Sequence, residues 1–457
     1  MTFKNQIILI ILILGLPIVS NAQVITFKKY YSTDRRDYGH SIKQTEDNGF
    51  IIGGCLDNLI TLIKTDSLGN VEWKNSIDTC TIYSNIKVYI PTTDEFLILA
   101  EDIQLIKTDR LGNVIWNYTL IDSVNDEGLG IYELIIDKNG KYVMVGTSRS
   151  DYYDHNMGVL KVNINGEIEW YKEYGQDTIL VGAGIAIDNN NNYVLLGNTL
   201  RVLESGTGFQ PGDVYFLKVD SFGNQLSQSY LANERRTSAI DIINNGSDNF
   251  SILYRSYPDP PEPNSYYHIS EITPSGIEGK IFTFNNTLRY PRTISETSDG
   301  GFIVGGFVTK LNQFGTIEWE TNTVSWEVIQ TNDDGYAIIG NRCVQDCDGN
   351  WEIYGGPEPD YDVFFLKLDE YGFLYQEINN LKIQPNPFTK TGMITFPNLN
   401  NEVHNIRIYD TYGRLARNYE DINDGKQPIY KGELRVGMYI LELSNDEQRQ
   451  YLKFIIN

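Results

Sequence analysis

After the first two dozen residues, the chain alternates short apolar, β-branched runs with Asp/Asn/Gly punctuation. This is the pattern of strands joined by tight hairpins rather than of helices. One phrase recurs: LITLIKTDSLGNVEW at 59–73, IQLIKTDRLGNVIW at 103–116 and MGVLKVNINGEIEW at 157–170. Weaker copies follow as VYFLKVDSFGNQLS from Val214, YYHISEITPSGIEG from Tyr266, VTKLNQFGTIEW from Val308 and VFFLKLDEYGFLYQ from Val363. A second phrase precedes each copy: TEDNGFIIGG, TTDEFLILAE, DKNGKYVMVG, DNNNNYVLLG, NGSDNFSILY, TSDGGFIVGG and TNDDGYAIIG. The two always alternate, so together they form one unit occurring seven times.

Each unit reads as four antiparallel strands, the composition of one propeller blade. The turn glycines Gly69, Gly112, Gly166, Gly223, Gly276, Gly315 and Gly372 are spaced by 43, 54, 57, 53, 39 and 57 residues, a blade-type period with variable loops. The segment ITFKKYY at 25–31 resembles the outer-strand phrase IEWYKEY at 168–174 but has no preceding strands of its own. The pattern therefore predicts that it completes the seventh unit, joining the two ends of the ring and removing open sheet edges. The expected fold is all-β: a seven-bladed β-propeller, or six-bladed should the short sixth unit fail, followed by a small C-terminal β-sandwich. That unit is short because Phe302 to Gly315 spans 13 residues where Phe50 to Gly69 spans 19.

From the second-strand aromatic to the turn glycine, the interval runs 19, 16, 24, 30, 26, 13 and 36 residues. The variation lies in the loop between strands two and three, which shares a rim with the links between blades. Loops held by a rigid scaffold are where binding concentrates, so this decorated rim is the candidate site. Its candidate ligand residues are Asp151, Tyr153, Asp154 and His155 in unit three, Tyr257 and Tyr266 in unit five, and Asp346, Asp348, Trp351, Glu352, Tyr354, Asp360 and Asp362 in unit seven. Carboxylates beside Tyr and Trp suit chelation of Ca²⁺ or stacking on a sugar ring. Equally, Asp, Asn, Pro and Gly are ordinary solvated loop residues. The stretch from Asp346 to Glu352 has a calcium-loop flavour, but Gly349 is misplaced for an EF-hand and no flanking helices are apparent.

The N-terminus carries Lys4, an apolar run from Ile7 to Val19, and Ser20-Asn21-Ala22 ahead of Gln23, the layout of a cleavable signal peptide over 1–22. No later stretch is apolar and long enough to span a membrane, so the mature chain is expected to lack a transmembrane segment. Export permits disulfides. Cys343 with Cys347 and Cys55 with Cys80 are the favoured pairs, Cys55 with Cys343 an alternative, and a zinc site lacks CxxC spacing or a His partner.

Composition sharpens this picture. With 37 Lys and Arg against 60 Asp and Glu, the formal net charge is -23, which excludes a phosphate-backbone binder and hence nucleic acid. Residues 381–457 hold 10 basic and 9 acidic residues, and residues 1–22 hold only Lys4, so 23–380 carries -25. The acid belongs to the repeat region and makes cations or basic surfaces natural partners there.

The turn DSLGNVEW resembles the aspartate-to-tryptophan turn of quinoprotein-type propellers and, more loosely, the Asp-box of sialidases, whose full pattern is absent. That resemblance implies that Trp73, Trp116, Trp170 and Trp319 pack between blades. DGGFIVGG at Asp299 and DDGYAIIG at Asp333 resemble repeats of secreted bacterial propellers, an architecture that implies no chemistry.

From residue 381 the repeat stops. Pro385-Asn386-Pro387, IRIYDTYGRLARNY with Gly413, the pair Gly437 and Tyr439 in LRVGMYILEL, and Lys453 in the closing KFIIN together resemble the type IX secretion C-terminal sorting domain. The resemblance implies passage through the periplasm, recognition of the tail by outer-membrane secretion machinery, and delivery to the surface or medium of a Gram-negative bacterium. Two functional expectations result. The first is a non-catalytic module binding glycan, protein or Ca²⁺ at the decorated rim, with no cofactor beyond that ion. The second is a secreted glycoside hydrolase or other polysaccharide-active enzyme using paired carboxylates. No nucleophile-elbow motif accompanies the four histidines.

Overall fold

Burial accounts for the look of the repeated phrases. In blade 1 the second strand, Phe50–Leu56, and the third, Leu59–Thr65, are buried along nearly their whole length, while the outer strand Val71–Thr79 alternates exposed and half-buried positions. Strands covered on both faces read as continuous apolar runs. The computed structural model describes residues 26–33, 35–81, 84–100, 103–120, 129–151, 154–175, 179–202, 209–231, 236–246, 249–257, 265–285, 288, 290–345, 360–372, 374, 381–396, 398, 403–444 and 449–457. Among the described residues no helix is long and apolar enough to cross a membrane.

Seven four-stranded antiparallel sheets follow one another: 37–79, 86–119, 129–174, 180–231, 236–285, 294–324, and a seventh built from 327–368. The strand Phe27–Tyr31 pairs antiparallel with Asp360–Leu368, Phe27 opposite Lys367 and Tyr31 opposite Val363, so the N-terminus supplies the fourth strand of blade 7. Blade 6 is a full four-stranded sheet although its first two strands, Ile294–Glu296 and Phe302–Val304, have only three residues each. The propeller is therefore seven-bladed.

Seven apolar clusters lie between successive blades. Ile51, Leu62, Val88 and Ile98 join blades 1 and 2, for example, and Ile42, Phe50, Ala337 and Phe365 join blades 1 and 7. The remaining five fill the other junctions. Burying such side chains is worth about 1.5–3 kcal/mol each, and a blade detached from its neighbours would lose the cover on both its faces.

The turns between third and fourth strands explain the recurrent spelling of the repeat. Asp66 Oδ1 accepts the N–H groups of Leu68 and Asn70 at 2.9 and 2.8 Å, and the Gly69 N–H closes onto the Asp66 carbonyl at 3.1 Å. Gly69 sits at φ 73°, and its six counterparts lie between 75° and 83°, a left-handed conformation that glycine adopts without a Cβ penalty. These turns also meet the outer strand of the preceding blade. A Cβ on Gly112 would lie 2.7 Å from Trp73, one on Gly223 3.1 Å from Trp170, and one on Gly372 2.6 Å from Trp319; Gly166 faces Tyr118 and Trp116. Gly69 meets Phe27 in the same way, so the N-terminal strand provides the aromatic that blade 7 otherwise lacks. The four tryptophans are packing residues, as expected.

A second periodic feature, not apparent from the repeat alone, runs round the same rim. Five residues before the turn glycine, the third strands of six blades carry a lysine whose ammonium meets a carboxylate. The pairs are Lys64–Asp47 (2.8 Å), Lys107–Glu95 (2.9 Å), Lys161–Asp137 (3.1 Å), Lys218–Asp188 (2.8 Å), Lys310–Asp299 (2.8 Å) and Lys367–Asp333 (2.9 Å). Blade 5 has Glu271 at that position, which accepts a hydrogen bond from Asn249 Nδ2 at 2.5 Å. The six lysine side chains are only 2–13% exposed, and the paired carboxylate offsets the cost of burying each charge.

Cys55 and Cys80 form a disulfide, tying the second strand of blade 1 to the exit of its fourth. Cys343 is also disulfide-bonded, and Cys347 lies outside the described residues.

Candidate functional site

The residues expected at the decorated rim fall on three separate blades. In blade 3, Asp151 and Asp154 end one strand and begin the next, paired in register, so this segment is a hairpin end rather than an open loop; Tyr153 lies outside the described residues. The His155 ring stands 5.4 Å from Phe209 of blade 4. In blade 5, Tyr257 ends the second strand under the Arg255 guanidinium, 4.6 Å from its centroid, and Tyr266 opens the third strand opposite Ser256. His268 stacks on Tyr254 at 4.7 Å, with its two ring nitrogens 2.7 Å from Ser256 Oγ and 3.0 Å from Thr283 Oγ1. A ring satisfied on both sides is structural. In blade 7, Asp346, Asp348, Trp351, Glu352 and Tyr354 lie outside the described residues. Asp360 and Asp362 begin the third strand, and burial followed by the Asp360 charge raises the Asp362 carboxyl. The three groups belong to three different sheets, and among the described residues no set of three or more His, Cys, Asp or Glu is gathered to hold a metal ion.

A different set does converge. The first strand of each blade enters from the decorated rim, and at the entrances of blades 6, 7 and 1 stand Arg292, Trp326 and the pair Tyr38 and His40. His40 is the extra residue of a β-bulge between Gly39 and Ser41, and such bulges re-aim a side chain. Its imidazole meets the Trp326 ring edge-on at 5.1 Å and is parallel to Tyr38 at 6.3 Å. The Arg292 guanidinium lies 4.0 Å over Trp326, and Tyr38 reaches Tyr361 of blade 7 at 5.4 Å. Burial, with the Arg292 charge adding to it, pushes His40 down to about 4, so it is neutral at pH 7. Burial also raises Tyr38, against the Arg36 charge beside it, and holds Arg292 below its ordinary value.

Further along the inner strands, three carboxylates occupy one register position in blades 3, 5 and 7. Glu327 accepts from Ser41 Oγ at 2.8 Å and the Ile42 N–H at 2.7 Å, and pairs with Lys43. Glu133 accepts from Tyr89 at 2.7 Å and pairs with Lys87. Asp241 accepts the Ile294 and Ile242 N–H groups at 2.9 and 2.8 Å, and burial followed by the Glu133 charge pushes it up to about 7. Each acid caps backbone donors or a lysine at the junction of inner strands, so these carboxylates hold blades together.

Loop length does not single out Tyr38, His40, Arg292, Trp326 or Tyr361. They sit at blade entrances or strand ends, outside the loops whose length varies, and Tyr38 and His40 of blade 1 meet Trp326 and Tyr361 of blade 7 only because the ring closes. The available signal was the aromatic or basic residue just ahead of an inner strand, as in DYGHSI, PRTISE and SWEVIQ.

The tail folds as a three-stranded and a four-stranded sheet around Ile383, Phe388, Ile406, Leu441 and Phe454. Pro385 and Pro387 flank Asn386, whose Oδ1 accepts the Ile455 N–H at 2.9 Å, and the Asn457 N–H bonds the Phe388 carbonyl at 2.9 Å. The opening motif is thus stitched to the last strand. Gly413 closes the turn from Asp410 at φ 72°; Gly437 opens the strand carrying Tyr439, which stacks on Phe454 at 5.7 Å; and Lys453 pairs with Ile440 in the closing strand.

Residues 382–457 match the family described as the secretion system C-terminal sorting domain. No curated protein matches the chain. Among solved structures it is similar to a protein of unknown function from Bacteroides caccae, with 14% identity, 59% of this chain and 87% of that one covered, and TM-score 0.37. It is similar to BamB from Moraxella catarrhalis, with 14% identity, 72% and 84% covered, and TM-score 0.35. A third similarity is to the polysaccharide lyase Uly1, with 9% identity, 76% and 100% covered, and TM-score 0.48.

Proposed function

On the premise that a type IX sorting domain at its C-terminus makes this a secreted or cell-surface bacterial protein, we propose that the propeller is a non-catalytic binding module. Its ligand engages the decorated rim at the entrances of blades 6, 7 and 1. In this reading residues 1–22 are the signal peptide, 23–380 the propeller and 381–457 the sorting domain read by outer-membrane secretion machinery. The supporting observation is the convergence of Tyr38, His40, Trp326, Tyr361 and Arg292, aromatic and guanidinium groups of the kind that dominate recognition sites. The inner-strand carboxylates, by contrast, are engaged by backbone N–H groups and lysines, which suits packing better than acid–base work. The test is a glycan and matrix-protein binding screen of the full chain, with and without Ca²⁺, beside hydrolysis assays on the same polysaccharides. Binding without turnover that Trp326→Ala abolishes supports the reading, and turnover overturns it.

A further inference from the structure

We propose that the junction of blades 5 and 6, on the rim of the tight turns, is a binding site for a primary alkylammonium group carried by a ligand, its N–H groups received by Glu271, Ser251 and Glu296.

Six blades place the same cross-strand pair on the face turned to the next blade, an aliphatic residue of the second strand opposite the third-strand lysine. Ile51–Lys64 in blade 1, Val143–Lys161 in blade 3 and Ile303–Lys310 in blade 6 are examples, and blades 2, 4 and 7 repeat the pairing. Residues directly opposite on neighbouring strands lie side by side on one face of the sheet. The aliphatic member belongs to the apolar cluster of its junction, and the ammonium is met by a carboxylate. In blades 2 and 3 the ammonium also reaches the next blade, 3.4 Å from the Ile164 carbonyl and 3.2 Å from the Ser221 carbonyl. These junctions therefore enclose an ammonium on an apolar stem.

Blade 5 replaces both members of the pair, since Ser251 stands opposite Glu271. A cavity of about 160 Å³ opens there, lined by these two, by Glu296 from the first strand of blade 6, and by Ile269, Phe282 and Phe302. Ser251 is only 3% exposed, yet it faces the cavity and its hydroxyl has no hydrogen-bond partner among the described residues. A buried hydroxyl left without a partner is costly, so a ligand that supplies one is favoured. One Glu271 oxygen accepts from Asn249 Nδ2 at 2.5 Å, and the other is left for a donor.

Lys280, also at the cavity, does not take the vacant place. Its ammonium donates to the Gln313 carbonyl at 3.1 Å and lies 4.4 Å over the Phe282 ring. What the cavity offers is acceptors above apolar walls. An ammonium has three donors and no acceptor, its bonds to carboxylates are charge-assisted, and its carbon stem suits the walls. A bare metal ion fits less well, because apolar walls supply no ligand and no three acids, His or Cys gather to hold one among the described residues.

The test is a ligand-observed NMR titration of the full chain with n-pentylammonium, Nα-acetyl-lysine methylamide and n-pentanol. The expected result is binding of both amines and not of the alcohol. Glu271→Gln should weaken the amines by roughly tenfold or more. Glu271→Lys, which installs the residue of the other six blades, should abolish their binding while melting no lower than the parent. Glu320→Gln, on the outer strand of blade 6, should leave it unchanged. Either order of the two amines supports the site: tighter lysine amide assigns it to a protein side chain, and tighter pentylammonium to a small amine. Equal binding of pentanol overturns the selection of charge. Equal losses in Glu320→Gln and Glu271→Gln would show amines gathering on an acidic surface and overturn the site. Displacement of both amines by an equimolar amount of CaCl₂ overturns the ammonium in favour of a metal, and silence toward both amines overturns the proposal while leaving the rim reading intact.

Discussion

Replacing Gly112 by alanine measures how tightly blades 2 and 1 are docked. Gly112 is at φ 79°, and a Cβ there would lie 2.7 Å from Trp73 Cζ3 and 2.9 Å from Asn75 Nδ2. Two penalties add: about 1–2 kcal/mol for a side chain in the left-handed region and about 1–3 kcal/mol for overpacking a ring that is itself held by its blade. Gly300 separates them, because it has φ 75° with nothing within 4 Å of where its Cβ would lie, so Gly300→Ala should cost only the first. Trp73→Leu in the Gly112→Ala background should recover the second as a coupling of about 1–3 kcal/mol. Urea unfolding followed by tryptophan fluorescence isolates the propeller, since all 6 tryptophans precede residue 381. Equal destabilisation by Gly112→Ala and Gly300→Ala would refute the docking argument and reduce the turn glycine to a matter of backbone conformation.

Other perturbations reach the ring closure, the buried acids and the disulfide. Phe27→Ala removes the ring that packs edge-on against Phe365 at 4.8 Å and fills the notch at Gly69; a half-buried Phe should cost about 2–3 kcal/mol, and an unchanged urea midpoint would show that blade 7 does not need its N-terminal strand. Asp241 keeps its proton up to about pH 7 when folded but releases it near the ordinary carboxylate value of 3.8 when unfolded. The linked stability is therefore complete below about pH 4 and lost as pH rises to 7, so parent minus Asp241→Asn stability should fall by on the order of 2–4 kcal/mol between about pH 4.5 and 8; a flat difference in urea midpoints refutes it. Replacing Cys55 and Cys80 by serine opens a loop of 25 residues and should cost about 3 kcal/mol by chemical denaturation, whereas a loss below about 1 kcal/mol would show that the clip constrains little.

Much of the architecture was legible because a propeller repeats its local physics. Every blade needs a left-handed turn residue where Gly69 stands and a side-chain acceptor where Asp66 stands, and it needs apolar cover on both faces of its middle strands. The spelling therefore recurs seven times, and the orphan strand at 25–31 could be matched to the unit lacking a partner. Interval length is a poor measure of strand content in blade 6, where three-residue strands suffice because neighbours on both sides supply the packing. The lysines of the third strands were visible in LIKTD and LKV, but their role was not. Lys64 meets Asp47 from the preceding turn, and that partner is fixed by strand pairing rather than by sequence spacing.

The candidate site followed the opposite logic. Loop composition, carboxylates beside Tyr, Trp or His, singled out blades 3, 5 and 7, which the ring holds apart, while Tyr38, Arg292, Trp326 and Tyr361 sit in ordinary local sequence and come from both ends of the propeller. By itself the sequence determined the local terms: the turns, the strand periodicity, the seven units, the export tail and the place of the acidic charge. Only the tertiary structure decided which blade entrances meet, which carboxylate faces each third-strand lysine, and which histidine is buried against Trp326. Those properties depend on distances set by closing the ring, and closure places blade 1 against blade 7, whose residues no local pattern relates.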